Sequence, residues 1–162
     1  MALGIAPTQA ILEQRDRRGY MRGFFLSESD SRARLRVRVS GPSKTMELTF
    51  EIDTGAAKDL LIHQALADEL GVAASDDIDF AILADGKTKV EVKLAKLSVS
   101  WMGEAKPVDI SVWPETPGTA QPPRNKNTID GLIGRDLLSD TKLEIDYVNR
   151  KVVLTKPVIE GA

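Results

Sequence analysis

The sequence of 162 residues contains no cysteine and a single histidine, His63. Without cysteine, the chain cannot form a disulfide, use a thiol nucleophile or hold an iron–sulfur cluster, and a zinc site built from Cys and His ligands is excluded. A serine triad could rest only on His63. We therefore expect neither a metal nor a cofactor, and we look to carboxylates and hydroxyls for any chemistry.

Long apolar runs are also missing from the sequence. No stretch approaches the roughly 20 apolar residues that a membrane-spanning helix requires. The apolar stretch at the start is interrupted by Pro7, and Arg15, Arg17 and Arg18 follow it, whereas a secretory signal peptide carries its basic residues first. We expect a cytoplasmic protein that makes no membrane contact.

Length and composition are those of one globular domain. The chain is 42% hydrophobic with a formal net charge of −2, and a fold of this size buries roughly 70% of the surface that its unfolded chain exposes. It therefore needs no disulfide or metal for stability. We expect an N-terminal arm over residues 1–30, a single domain over residues 31–156 and a tail over residues 157–162.

The first 40 residues hold eight arginines against four acidic residues, a charge excess that could indicate nucleic-acid binding. In the segment 34–39, however, the arginines alternate with apolar residues, and the segment 46–52 alternates in the same way with Glu47 and Glu51. Two strands joined by a Gly-Pro turn would place Arg opposite Glu, a stabilising cross-strand pair. Since no aromatic residues are interleaved to stack on bases, we expect a hairpin and no nucleic-acid partner.

The remaining pattern is also mostly that of β-strands. Asp85-Gly86 between alternating segments is a strong hairpin signal. Apolar residues recur every four positions at Ile62, Leu66 and Leu70, and Gly71 follows, which predicts one short helix that ends at Gly71. Strands are predicted at 60–62, 80–83, 88–94, 97–101, 108–112, 129–133, 143–147 and 151–155, with a turn at 103–105, a helical turn at 135–139 and a proline-rich loop at 114–128.

Two segments carry more information than their periodicity. The first is Phe-Glu-Ile-Asp-Thr-Gly-Ala at residues 50–56, an apolar strand that ends in an acid followed by Thr and Gly. The second is Gly-Leu-Ile-Gly-Arg-Asp-Leu-Leu at residues 131–138. Taken singly, each also suits a capped turn or a plain strand-to-helix connection.

In this order, with an Asp-Gly hairpin between them, the two segments resemble the retropepsin-like aspartic proteases, in particular their small bacterial single-domain members. The resemblance covers residues 31–155. It implies an all-β fold: a closed, orthogonal β-barrel with a flap hairpin and one or two short helices, assembled as a homodimer.

The resemblance also implies roles for individual residues. Asp53 would be the catalytic carboxylate, and a flap over residues 80–92, with its tip at 84–87, would cover the substrate. The active-site loop would be supported by Thr54, Gly55, Leu132, Ile133 and Gly134. Substrate would contact Ala56, Ile82, Ala84, Asp85 and Gly86, with Leu61, Ile82 and Ile133 as an apolar lining.

Two positions depart from the family pattern. Viral members often have an acid two residues after the Gly, able to pair with the Arg of the terminal helix, but here that position is Ala57. The partner of Arg135 is therefore left open. The flap tip has one glycine, Gly86, instead of a glycine-rich run.

The mechanism of this class uses two carboxylates that share one proton. The sequence has one Asp-Thr-Gly and no Asp-Ser-Gly, so the resemblance implies a homodimer acting on a peptide or protein substrate. One alternative is a non-catalytic peptide-binding or dimerisation module with the same fold. A more distant one is an aspartyl phosphotransferase, which usually needs a second acid at position 55, where this chain has Gly.

Overall fold

The computed structural model describes residues 19–82, 85–114 and 128–157, which form ten strands and two short helices. In this part of the chain, no helix has the length and apolar character needed to span a membrane. The elements are β1 (Tyr20–Gly23), β2 (Arg34–Ser40), β3 (Thr45–Ile52), β4 (Leu60–His63), α1 (Gln64–Leu70), β5 (Ile78–Ile82), β6 (Lys89–Trp101), β7 (Glu104–Trp113), β8 (Gly131–Ile133), α2 (Arg135–Leu138), β9 (Lys142–Asp146) and β10 (Lys151–Thr155).

Six of the strands close into a barrel. The larger sheet has the order β2-β3-β8-β4-β7-β6-β5, and β2 pairs in addition with β6 through Val39–Val99 and Ser40–Ser98. This pairing joins the two ends of the six-stranded part and leaves β5 outside as an edge strand. The closed, mainly β barrel expected from the sequence is confirmed.

The inward faces of the strands form one apolar core. Leu35, Val37 and Val39 of β2 alternate with less buried residues, as the period-two pattern predicted. Phe50 and Ile110 face the same core and are fully buried. Burial of this apolar surface is the main stabilising contribution to the barrel.

The β2–β3 hairpin has the expected register, with Arg34 opposite Glu51 and Arg38 opposite Glu47. The prediction of a uniformly polar arginine face is nevertheless wrong at Arg34, whose side chain is 1% exposed. Its guanidinium instead forms an ion pair with Asp30 at 2.8 Å. A buried arginine needs such a counter-charge, and the alternation pattern carries no information about it.

A second, three-stranded sheet has the order β1-β10-β9. Strand β1 lies inside the segment 1–30 that the sequence analysis assigned to an arm, and it pairs with β10 from Tyr20–Thr155 to Gly23–Val152. Its four residues are too few for a recognisable alternation, and its partner lies at the other end of the sequence. For these reasons local patterning missed it.

The two strands predicted at 88–94 and 97–101 form one continuous strand, β6. Its first part pairs with β5 and most of its length pairs with β7, so a single strand serves two hairpins. The second hairpin turns at Met102 and Gly103, both with positive φ (54° and 80°), and not at the predicted 103–105. Positive φ at both central residues is the feature of the tight type I′ turn.

The predicted helix is present as α1 and ends at Gly71, which has φ 76° and donates its backbone N–H to the last turn. Of the predicted proline-rich loop 114–128, residues 115–127 lie outside the described residues.

Candidate active site

Asp53 lies directly after β3, at an edge of the barrel that β3 shares with β8. The two strands are parallel, with Ile52 beside Ile133, so their carboxyl ends meet at the same edge. The backbone N–H of Asp53 donates to the carbonyl of Ile133 at 2.9 Å, and its own carbonyl accepts the N–H of Ala56 at 3.1 Å. The Asp53 side chain is partly exposed on this anchored turn.

The carboxylate of Asp53 is oriented by its own loop. Gly55 donates its backbone N–H to Asp53 Oδ1 at 2.9 Å. A Cβ at position 55 would lie 3.2 Å from the same oxygen, which is a tight contact. Glycine therefore lets the backbone come close enough to bind the carboxylate, and such hydrogen bonds to an ionised acceptor are relatively strong.

The second motif holds the active-site loop, residues 53–59, through backbone hydrogen bonds. Gly134 donates to the carbonyl of Asp59 at 3.0 Å, and Arg135 donates its backbone N–H to the carbonyl of Ala56 at 2.8 Å. A Cβ at Gly134 would lie 2.0 Å from the carbonyl oxygen of Lys58. The loop thus stays attached to α2 although position 57 has no acid to bind the Arg135 side chain.

Asp53 lines a cleft of about 720 Å³ between this loop and the hairpin formed by β5 and β6. The lining also includes Ala56, Leu61 and Ile82, which the resemblance placed at the substrate, and Gly55, Leu132 and Gly134, which it placed in support of the loop. A partly exposed carboxylate at such a place can accept a proton from a water molecule in the cleft.

The expectation that Ile133 lines the cleft is wrong. Ile133 is fully buried in the core, and its neighbour Leu132 lines the cleft instead. Successive side chains of a strand point to opposite faces, so only one of the two can face the cleft. Thr54 is exposed beside Asp53 and does not line the cleft.

The Asp-Gly turn of the β5–β6 hairpin stands beyond the last strand pair, Ile82 with Lys89. Asp85 accepts the hydroxyl of Thr88 and the backbone N–H groups of Thr88 and Lys87, and these hydrogen bonds lower the pKa of the Asp85 carboxyl. Gly86 has φ 73°. Neither Asp85 nor Gly86 lines the cleft, and Ala84 lies outside the described residues.

Sequence reasoning missed several residues that line the cleft, chiefly Lys58 and Asp79. Lys58 Nζ of the active-site loop lies 3.5 Å from Asp79 Oδ2 of β5. The backbone N–H of Phe80 and the Lys58 ammonium lower the pKa of Asp79. Asp79 alternates with the apolar Ile78 and Phe80, a pattern that would have placed it in a strand. The strand predicted from the sequence, however, began one residue after Asp79.

Within the three described ranges, no group of three His, Cys, Asp or Glu side chains is placed to hold a metal ion. The absence of a cofactor stays a prediction from the sequence.

The model of a protein family described as "Aspartyl protease" matches residues 35–137. This segment exceeds half of the chain and contains Asp53, the β5–β6 hairpin and Gly134. The chain therefore belongs to the aspartyl protease family, and the resemblance to its retropepsin-like members is confirmed.

Comparison with the solved structure of a seed globulin shows a shared fold. Conglutin gamma, a basic 7S globulin from lupine seeds, matches 89% of this chain with 10% identity and a TM-score of 0.51. The chain spans 50% of the length of that protein. A protein of unknown function from Legionella pneumophila matches 65% of this chain and 84% of its own length, with 13% identity and a TM-score of 0.34. No curated protein matches the chain.

Proposed function

We propose that the protein is an aspartic endopeptidase in which two copies of Asp53, one from each chain of a homodimer, activate a water molecule for peptide hydrolysis. The observation that carries the proposal is the position of Asp53. Its carboxylate is oriented by Gly55 and lines the cleft beneath the β5–β6 hairpin, in a chain of the aspartyl protease family.

The chemistry requires one ionised and one protonated carboxyl group. The ionised group takes a proton from water, whose oxygen attacks the peptide carbonyl carbon, while the protonated group donates its proton to the carbonyl oxygen. The C–N bond then breaks as the first group passes the proton from water to the amide nitrogen and the second takes a proton back from a hydroxyl group of the intermediate, which restores the pair. Two carboxylates in contact repel each other when both are ionised, so the pair retains one proton over a range of pH.

The second carboxyl group comes from the second chain, because the sequence holds a single Asp-Thr-Gly. Asp53 is partly exposed and Thr54 is exposed at this edge of the barrel, where another copy of the loop has access. A two-fold axis through this edge would place each Asp53 beside its symmetry mate.

The lining of the cleft favours a peptide substrate with apolar side chains near the cleaved bond. Phe80 and Ile82 of the hairpin are 56% and 62% exposed and line the cleft together with Leu61 and Leu132. Large apolar side chains left open to water are typical of binding surfaces. The β5–β6 hairpin would act as the flap that covers the bound peptide.

Replacing Asp53 with Asn tests the proposal. The amide oxygen of Asn can still accept the Gly55 N–H, and the other hydrogen bonds of residue 53 involve backbone groups. The thermal unfolding temperature and the mass of the dimer should therefore stay unchanged. Peptide cleavage by Asp53→Asn should fall by at least about 10³-fold. The exposed Asp76→Asn is the matched control and should retain full activity.

Comparable cleavage by Asp53→Asn and the wild type would overturn the proposal. If the wild type binds peptides without cutting them, and Asp53→Asn binds them equally well, the non-catalytic peptide-binding module becomes the correct reading.

A further inference from the structure

One ion pair joins the two sides of the cleft. Lys58 lies in the active-site loop, five residues after Asp53, and Asp79 lies on β5 of the hairpin. Their charged atoms are 3.5 Å apart, and the two side chains are 44% and 46% exposed. An ion pair this open to water contributes little to stability, so an incoming ligand can replace either partner.

The backbone of Lys58 is fixed relative to Asp53. Its carbonyl oxygen packs against Gly134, and the carbonyl of the next residue, Asp59, accepts the Gly134 N–H. The Lys58 side chain itself is a flexible four-carbon chain that ends in an ammonium group. Lys58 can therefore move its charge within the cleft while the active-site loop stays in place.

The Lys58 ammonium has hydrogen-bonding capacity to spare. Asp79 already accepts the backbone N–H of Phe80 on Oδ1 at 2.8 Å and faces Lys58 with Oδ2. The Lys58 ammonium has three donors, and its distance to Asp79 is longer than the roughly 2.7–2.9 Å of a strong charged hydrogen bond. Lys58 is thus the partner with donors available for a ligand.

Lys58 is the one positively charged side chain among the described residues that line the cleft. Of the described residues that line the cleft, Asp53 and Asp79 carry carboxylates and Lys58 carries an ammonium, while the others are apolar or uncharged. An acidic substrate side chain would be repelled by the two aspartates unless it lay against Lys58.

We propose that Lys58 is a specificity-determining residue that makes the protein prefer peptides with a Glu or Asp side chain close to the cleaved bond. The substrate carboxylate would bind the Lys58 ammonium and displace or join Asp79. This inference rests on the proposed endopeptidase function and adds a substrate class to it.

The test uses sets of peptides that differ only in carrying Glu, Gln or Lys at one position, scanned along the residues that flank the cleavage site. At the position that faces Lys58, the wild type should cut the Glu peptide about tenfold more efficiently, in kcat/KM, than the Gln peptide. Lys58→Gln should remove this preference, so that it cuts the Glu and Gln peptides with equal kcat/KM, and Lys58→Glu should favour the Lys peptide. The matched control is Lys96→Gln, which removes an 86% exposed lysine of β6 and should keep the preference.

Binding measured in the Asp53→Asn background separates this inference from the proposed function. Tighter binding of the Glu peptide that is lost on adding Lys58→Gln supports the role of Lys58 even if the wild type cuts nothing, in which case only the endopeptidase proposal falls. Equal kcat/KM and equal binding for the Glu and Gln peptides at every scanned position would overturn the inference. So would an equal loss of activity on all peptides in Lys58→Gln, because Lys58 would then only position the hairpin.

Discussion

At the scale of single residues, the site depends on glycines that allow one segment of backbone to touch another. Gly131 and Gly134 flank the two apolar residues of β8, and a Cβ on either would lie within about 2.1 Å of a backbone oxygen, that of Leu61 or Lys58. Both glycines are visible in the sequence, but the reason that these positions require glycine is not. That reason lies in contacts between segments about 70 residues apart, which no local pattern encodes.

We predict that Gly134→Ala is more disruptive than Gly86→Ala. Gly134 has an extended backbone (φ −100°, ψ −179°) that alanine adopts freely, so its cost is the collision with the Lys58 oxygen at 2.0 Å. This overpacking should lower the free energy of unfolding by about 3 kcal/mol and reduce activity by displacing the active-site loop. Gly86 has nothing within 4 Å but a φ of 73°, so Gly86→Ala should cost about 1 kcal/mol.

Urea unfolding and peptide cleavage of the two variants provide the measurement. Equal stability of the two variants, with full activity of Gly134→Ala, would show that the loop does not depend on this contact.

At the scale of elements, alternation predicted most strands and failed in specific ways. It identified β2, β3 and β7 because each has one face in the core. It divided β6 because Ala95 and Lys96 interrupt the alternation of large apolar residues between the two predicted halves. It missed β1 because a four-residue strand has no measurable period. In the candidate site, the two sequence motifs contain Asp53, Leu132 and Gly134, all of which line the cleft, but Lys58 and Asp79 meet only through the packing of β5 over the loop.

The segment before β2 is held by Asp30, which contacts two arginines. Its carboxylate pairs with the buried Arg34 at 2.8 Å and accepts the backbone N–H of Arg32 at 3.1 Å. Burial alone would raise the pKa of Asp30, but the hydrogen bonds from Arg32 and the charge of Arg34 together lower it below its ordinary value. A carboxyl group whose pKa is lower in the folded state stabilises the fold above the unfolded-state pKa, and this stabilisation is lost as the pH falls through the folded-state pKa.

We therefore predict that Asp30→Asn destabilises the protein at pH 7 by up to about 3 kcal/mol, because it leaves the buried Arg34 without its counter-charge. The deficit should shrink as the pH falls below the ordinary Asp pKa of about 4 and then through the lower folded-state pKa of Asp30, where the wild-type carboxyl group also becomes neutral. Urea unfolding at a series of pH values measures this. Asp140→Asn is the matched control: its pair with Lys156 spans 3.7 Å between half-exposed side chains, so little change is expected. A deficit that persists unchanged at low pH would contradict the electrostatic account.

At the scale of the whole molecule, the chain supplies a closed barrel with one Asp-Thr-Gly loop at its edge. The order of strands in the barrel, with parallel pairs β3–β8 and β4–β7 between antiparallel ones, depends on contacts distant in sequence. Alternation alone could not predict this order, and the resemblance to the protease family indicated only a closed barrel.

The shared site is tested most directly by mixing wild-type chains with Asp53→Asn chains at constant total concentration, after time for the subunits to exchange. If each active site needs two intact Asp53 residues, an equal mixture should retain about one quarter of the wild-type activity, because about one quarter of randomly formed dimers contain two wild-type chains. Activity should follow the square of the wild-type fraction over the whole series. A linear dependence, with about one half of the activity in the equal mixture, would show that each chain acts alone and would contradict the two-chain mechanism.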